Sequence, residues 1–210
     1  RVYSMKVLLI NGSPHEKGCT YTALSLIAGE LKAQGIETEI LHVGGQPVGG
    51  CIGCGGCRSG NGCVFGGVVN EAIEKAKTAD AFVFGSPVHY ASAAGNMASF
   101  MDRLAYAGGK YLAYKPAAIC ASARRAGTTT TLDQLVKYPQ FFHMPLVSGS
   151  YWPMVHGSKP EQVLEDEEGC AVMRELGRNM AWLLKCIELG KANGITHPEN
   201  PRRPMTNFIR

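Results

Sequence analysis

"MKVLLINGSPHEKGCTYTALSLIAGELKAQGIETEILHV", residues 5–43, changes its hydrophobic period twice. Residues 5–12 are a short apolar run closed by Asn-Gly, the pattern of a strand buried on both faces of a parallel sheet. Over residues 19–35, Leu24, Ile27, Ala28 and Leu31 recur at helical spacing and Gly35 supplies a stop. Residues 36–43 alternate and return to strand, so the chain opens with a βαβ unit. "RVYS", residues 1–4, reads as an N-terminal remnant outside that unit.

The same alternation continues outward from the opening unit. "VVNEAIEKAKTAD" (68–80) is helical, and "AFVFGSP" (81–87) is a third buried strand that ends in a turn. "ASAAGNMASFMDRLAYA" (91–107) places Met97, Phe100, Met101 and Leu104 on one helix face. "PAAICASA" (116–123) is a strand, "TTTTLDQLVKY" (128–138) holds a helix that begins at one of its threonines, and "MPLVSGS" (144–150) is a last short strand. Residues 166–194 form a long closing helix through Met173, Leu176, Met180, Leu183, Leu184 and Ile187. Five strands alternating with helices predict a three-layer α/β sandwich around one parallel sheet, with residues 1–210 in a single domain. Residues 44–67 are a cysteine-rich loop, and residues 195–210 are too proline-rich for a regular element.

Composition narrows the function classes. Hydrophobic residues are 45% and charged residues 18% of the chain, the balance of a soluble globular protein. The formal net charge is +4, yet the basic residues are scattered apart from pairs such as Arg124-Arg125 and Arg202-Arg203. Nucleic acid is therefore not expected as a partner. No apolar run approaches the ~20 residues that span a bilayer, and no leader pattern opens the chain, so a membrane is not expected and a cytoplasmic location is.

In open α/β sheets ligands sit beyond the carboxyl ends of the strands. The loop leaving the first strand, "NGSPHEKGCTYT" (11–22), offers Ser13, Thr20, Tyr21 and Thr22 hydroxyls, the close approach of Gly12 and Gly18, and a helix N-terminus. That chemistry suits a phosphate, although a Ser/Thr helix cap explains one of the hydroxyls. A Walker loop is excluded because Cys19 stands where its lysine belongs. The dinucleotide pattern Gly-x-Gly-x-x-Gly is absent, and no arginine stands six residues beyond Cys19 or Cys120, which excludes a cysteine phosphatase.

"NGSPHEKGCTYTAL", "FGSPVHYASAAGNMASFMDR", "ASARRAGTTTT" and "GSYWPMVHG" together resemble, in family order, the flavodoxin-like NAD(P)H-dependent FMN reductases, in particular the iron-sulfur flavoprotein branch. The resemblance implies the sheet order 2-1-3-4-5. It implies an FMN phosphate held by Ser13, Lys17, Gly18, Cys19 and Thr20, with Cys19 standing where relatives more often carry Asn. It places Ser86, Pro87, Val88, His89 and Tyr90 along the isoalloxazine, and Ser122, Ala123, Arg124 and Gly127 in a third flavin loop. Arg124 or Arg125 would face the charge of reduced flavin or a nicotinamide's phosphate. Tyr151, Trp152 and His156 follow the fifth strand, as flavin cover or as interface.

Cys51, Cys54, Cys57 and Cys63 have the spacing Cys-x2-Cys-x2-Cys-x5-Cys. Three cysteines at two-residue gaps are the run that curls around an iron-sulfur cube. The full spacing resembles the compact [4Fe-4S] motif of iron-sulfur flavoproteins, on the same edge as the flavin loops. Structural zinc ranks lower, because its knuckles usually stand well apart. Disulfides are disfavoured by compartment, and an unfilled loop of a flavin-only reductase stays open as the alternative. The expectation is an FMN-dependent oxidoreductase, a homodimer or homotetramer, taking electrons from NAD(P)H or ferredoxin and passing them to a flavin, quinone or other small acceptor. The alternatives are an iron-sulfur flavoprotein acting as an electron carrier, a non-enzymatic carrier like flavodoxin, against which the charge of +4 argues, and a metal-dependent sensor with a vestigial flavin.

Overall fold

The structure, a computed structural model, describes residues 4–201 and 204–206. Arg202, Arg203 and most of the "RVYS" segment lie outside the described residues. The elements in chain order are β1 (Lys6–Asn11), α1 (Cys19–Ala33), β2 (Glu37–His42), α2 (Val68–Thr78), β3 (Ala81–His89), β4 (Ser92–Ala93) and α3 (Gly95–Gly108). They continue with β5 (Ala117–Ala123), α4 (Thr128–Phe141), β6 (Met154–His156), α5 (Pro160–Glu165) and α6 (Glu167–Ala192). No helix among the described residues is long and apolar enough to cross a membrane.

The parallel strands run β2-β1-β3-β5-β6, with β4 paired antiparallel to β3. Counting only the parallel strands, this is the expected order 2-1-3-4-5. Alternation within each strand builds the three layers. Val7 and Leu9 point to a core formed with α1, α5 and α6, whereas Leu8 and Ile10 point to a second core formed with α2, α3 and α4. Each fully buried side chain of this kind contributes about 1.5–3 kcal/mol. The predicted apolar faces are the buried ones, including Leu24, Ile27 and Leu31 on α1 and Met97, Phe100, Met101 and Leu104 on α3.

Two boundaries differ from expectation. The helix expected from residue 91 begins at Gly95, because residues 92–93 fold back on β3 as β4. The last strand was expected at 144–150 but lies at Met154–His156, with only an isolated bridge between Leu146 and Ala117. The chain meets β5 twice, at Val147 N to Ala117 O and at Ala121 N to Pro153 O, and bows away between the two. Pro145 and Pro153 supply carbonyls there and have no N–H to give, which suits an interrupted sheet edge.

Candidate functional site

The carboxyl ends of β1, β3 and β5 meet on one edge of the sheet, Asn11 beside Gly85 and Pro87 beside Ser122. Asn11 is fully buried and folds the first loop around itself. Its Oδ1 accepts from Ser13 N at 3.1 Å and its Nδ2 donates to Glu16 O at 2.9 Å, a turn that asparagine forms with its own backbone. Ser13 Oγ accepts from His15 N at 3.1 Å, which leaves its own O–H to donate. His42, at the end of β2, holds Ser13 O at 2.7 Å through Nε2; a carbonyl only accepts, so Nε2 carries the proton. Behind the loop Gly44 is so close that a Cβ would lie 2.2 Å from Ser13 O.

α1 starts after Gly18 with no side chain capping it. The threonine or serine cap that would have accounted for the loop's hydroxyls is therefore not there. Thr20 and Ser122 hydroxyls bond each other at 2.8 Å and tie the first loop to the third, while Thr22 Oγ1 donates to Gly18 O. The helix's first N–H groups, with the dipole behind them and the exposed Lys17 beside them, remain to face an anion. Cys19 is turned aside: its Sγ donates to Gly157 O at 3.4 Å, and burial pushes its thiol up from the ordinary range.

The second loop is the turn of the β3–β4 hairpin. His89 pairs with Ser92, so Tyr90 and Ala91 form a two-residue turn with φ of 49° and 57°. Asn-Gly is the usual occupant of such a turn, and side chains with Cβ carry strain there, which clusters at functional sites. Tyr90 is fully exposed at the tip and His89 is exposed beside it. Ser86 clasps this hairpin, accepting from Ala94 N and donating to Pro87 O, and Gln134 Oε1 receives Ser92 Oγ and Ala93 N. Gly127, at φ 95°, lies under the turn, where a Cβ would meet Ala91 Cα at 2.6 Å.

The third loop exposes Arg124 and Arg125, and neither they nor Lys17 joins an ion pair among the described residues. His156 lies 3.1 Å from Arg125 O through Nε2. Tyr151 and Trp152 contact edge to face at 4.8 Å and line a groove of about 400 Å³ against α4.

Cys51, Cys54, Cys57 and Cys63 are free thiols that line one cavity of about 310 Å³ together with Phe65, Arg103 and Tyr106. Gly53, Gly55, Gly60 and Gly62 take φ of 66° to 85°, so the chain can reverse around the cavity. Asn96 pins the loop's first residues, through Val48 N, Gly44 O and Gln46 O, and Asn70 pins Cys63 through both its N–H and its carbonyl. The thiols border α3. They lie against Arg103 and Tyr106, about 10 Å along α3 from Asn96 at the helix rise of ~1.5 Å per residue. Among the described residues no group of three or more His, Cys, Asp or Glu side chains stands ready to hold a metal ion. Four thiols lining one cavity are the donor set that an iron-sulfur cluster takes.

The structure thus brings the first, second and third predicted loops together and gathers the four cysteines around one cavity beside α3. Asn11, His42, Gly44, Asn96 and Arg103 were not singled out from the sequence. The faint signals were an Asn closing a strand and one Arg set among the apolar residues of α3.

An open parallel α/β sheet with an uncapped helix start and two further loops on the same edge defines a flavodoxin-like flavin domain. Residues 5–159 match the NADPH-dependent FMN reductase family, and the chain belongs to this family of flavin-dependent oxidoreductases. It is 30% identical over 193 residues to an iron-sulfur flavoprotein of Methanocaldococcus jannaschii, covering 88% of this chain and 100% of that protein. An iron-sulfur flavoprotein of Archaeoglobus fulgidus is 31% identical over 196 residues, with 90% and 96% covered. The fold is shared with a flavodoxin from the domain Archaea at a TM-score of 0.60 and 15% identity, over 86% of this chain and 99% of that one.

Proposed function

We propose that the three loops bind FMN and that the protein carries electrons from a reduced nicotinamide through it to a flavin, quinone or other small oxidised molecule. The observation that carries this reading is the meeting of the loops, joined by the Thr20–Ser122 hydroxyl bond and by the contact of Gly127 with Ala91. The first-turn N–H groups of α1, Ser13 O–H and Lys17 hold the phosphate. Pro87, Val88, His89 and Tyr90 line the ring, and the strained turn sets Tyr90's aromatic face. Arg124, with no ion-pair partner among the described residues, faces the reduced ring or the nicotinamide's phosphate. FMN, once bound, supplies both the hydride and the one-electron chemistry, while the protein fixes its position and excludes competing reactions.

A second reading rests on the four free thiols around one cavity. Cys51, Cys54, Cys57 and Cys63 would hold a [4Fe-4S] cluster that exchanges single electrons, making the protein a carrier, with ferredoxin as one candidate partner. The similarity to two iron-sulfur flavoproteins supports it. A homodimer or homotetramer would bring a neighbour's residues to the exposed Tyr90.

Anaerobic purification followed by FMN, iron and sulfide quantification tests both readings. About four irons and one FMN per chain are expected for the cluster, and FMN alone for the simple reductase. Steady oxidation of NADPH or NADH with free flavin or quinone is expected for the enzyme. A colourless protein that does not bind added FMN would sink both.

A further inference from the structure

Arg103 is 6% exposed, although arginine is rarely buried without a partner anion. Its NH1 donates to Gly49 O at 3.3 Å, its NH2 to Gly66 O at 3.1 Å and its Nε to Cys63 Sγ at 3.2 Å, with the Phe65 ring centroid 5.4 Å away. No carboxylate among the described residues pairs with it. Among the described residues no acidic side chain lines the cavity it borders, and the other charged residue there, Arg58, is also a cation. Carbonyl dipoles and a ring face offset part of the cost of burying the guanidinium, but they are not a counter-charge. Among the described residues around the cavity, the groups able to supply one are the four thiols. Four neutral thiols do not, whereas a metal centre held by four thiolates is anionic overall.

Resting on the iron-sulfur reading above, we infer that Arg103 is the internal counter-cation and positioning residue of an anionic four-thiolate centre in this cavity. Gly49 precedes the first cysteine and Gly66 follows the last, so one planar fork closes both ends of the loop and also touches the fourth ligand. The charge and the clasp are separable. A lysine keeps the first and loses most of the second, and a glutamine loses the charge.

The test uses the full chain, reconstituted anaerobically with ferrous iron and sulfide, as wild type, Arg103→Gln and Arg103→Lys. FMN per chain reports an intact flavin domain, and iron and sulfide per chain report the centre. Spectroscopically monitored potentiometric titration gives the midpoint of the centre. Removing the cation should shift the one-electron equilibrium toward the oxidised centre at least tenfold, about 59 mV downward, with FMN content unchanged. Arg103→Lys should keep the wild-type midpoint within that margin yet lose iron to a chelator faster. Arg103→Gln protein that binds FMN but retains no iron also supports the inference. A wild-type midpoint and wild-type iron retention in Arg103→Gln would overturn it while leaving the cluster reading intact. Wild-type protein that binds FMN and takes up neither iron nor sulfide removes the cluster reading and the inference together.

Discussion

Gly44 sits where a single methyl group would press on the backbone of the first loop, 2.2 Å from Ser13 O and 2.5 Å from Gly12 O. Backbone cannot yield as a flexible side-chain tip can, so Gly44→Ala must move the proposed phosphate seat. FMN affinity is expected to fall tenfold or more, about 1.4 kcal/mol, in a fluorescence titration; unchanged affinity would remove Ser13's loop from the site. At the hairpin tip the reverse holds. Ala91 is at φ 57°, a conformation in which a Cβ costs roughly 1–2 kcal/mol. Ala91→Gly, despite glycine's greater unfolded entropy, should not lower the melting midpoint of the FMN-free protein. Cys120 supplies a pH dependence. Burial pushes its thiol from 9.0 to about 12. Above pH 9 the unfolded chain gives up this proton while the folded one keeps it, so stability falls as pH rises from about 9 toward about 12. Denaturant unfolding of wild type and Cys120→Ala across that window should show the steeper decline in wild type. The same slope in both would show that another group governs it. None of these three roles could be read locally: glycine, alanine and cysteine look alike in loops and cores until their neighbours are known.

Elements make the connection between these residues. α1 and α6 approach closely at Gly177, where a Cβ would meet Ile27 O at 2.7 Å. Gly177→Val should separate the two helices and cost about 1–3 kcal/mol, as overpacking does, measured by chemical denaturation; a change within ~0.5 kcal/mol would mean that the helices slide freely. α3 links the two halves of the site, its first turn holding residues 44–48 through Asn96 and its third turn holding the cysteine loop through Arg103. The helix was legible in the sequence from Met97, Phe100, Met101 and Leu104, because burial imposes a 3.6-residue period. Its start was not, because Ser92 and Ala93 gain their order from β3 and Gln134 rather than from their own preferences. The last strand was misplaced for the same reason: an edge strand has one partner, and the bonds from Ala117 and Ala121 decide where it touches.

At the scale of the whole molecule, one sheet buries two cores and leaves its carboxyl edge free for a ligand. A ligand that binds the folded chain alone stabilises it by mass action, so FMN at one hundred times its dissociation constant should add about 2.7 kcal/mol. Thermal melts with FMN and with riboflavin separate the phosphate's share, and no shift with FMN would contradict a formed site. By itself the sequence determined the alternation of strands and helices and the loop after β1, because hydrophobic period and glycine placement act over a few neighbouring residues. Through family resemblance it also determined the flavin class and the four cysteines as one group. Only the tertiary structure decided that Thr20 bonds Ser122, that His42 and Gly44 support Ser13, and that a buried Arg103 closes the cysteine loop. Those contacts join residues 29 to 102 positions apart, and no local pattern specifies which distant groups the sheet order will bring within hydrogen-bonding reach.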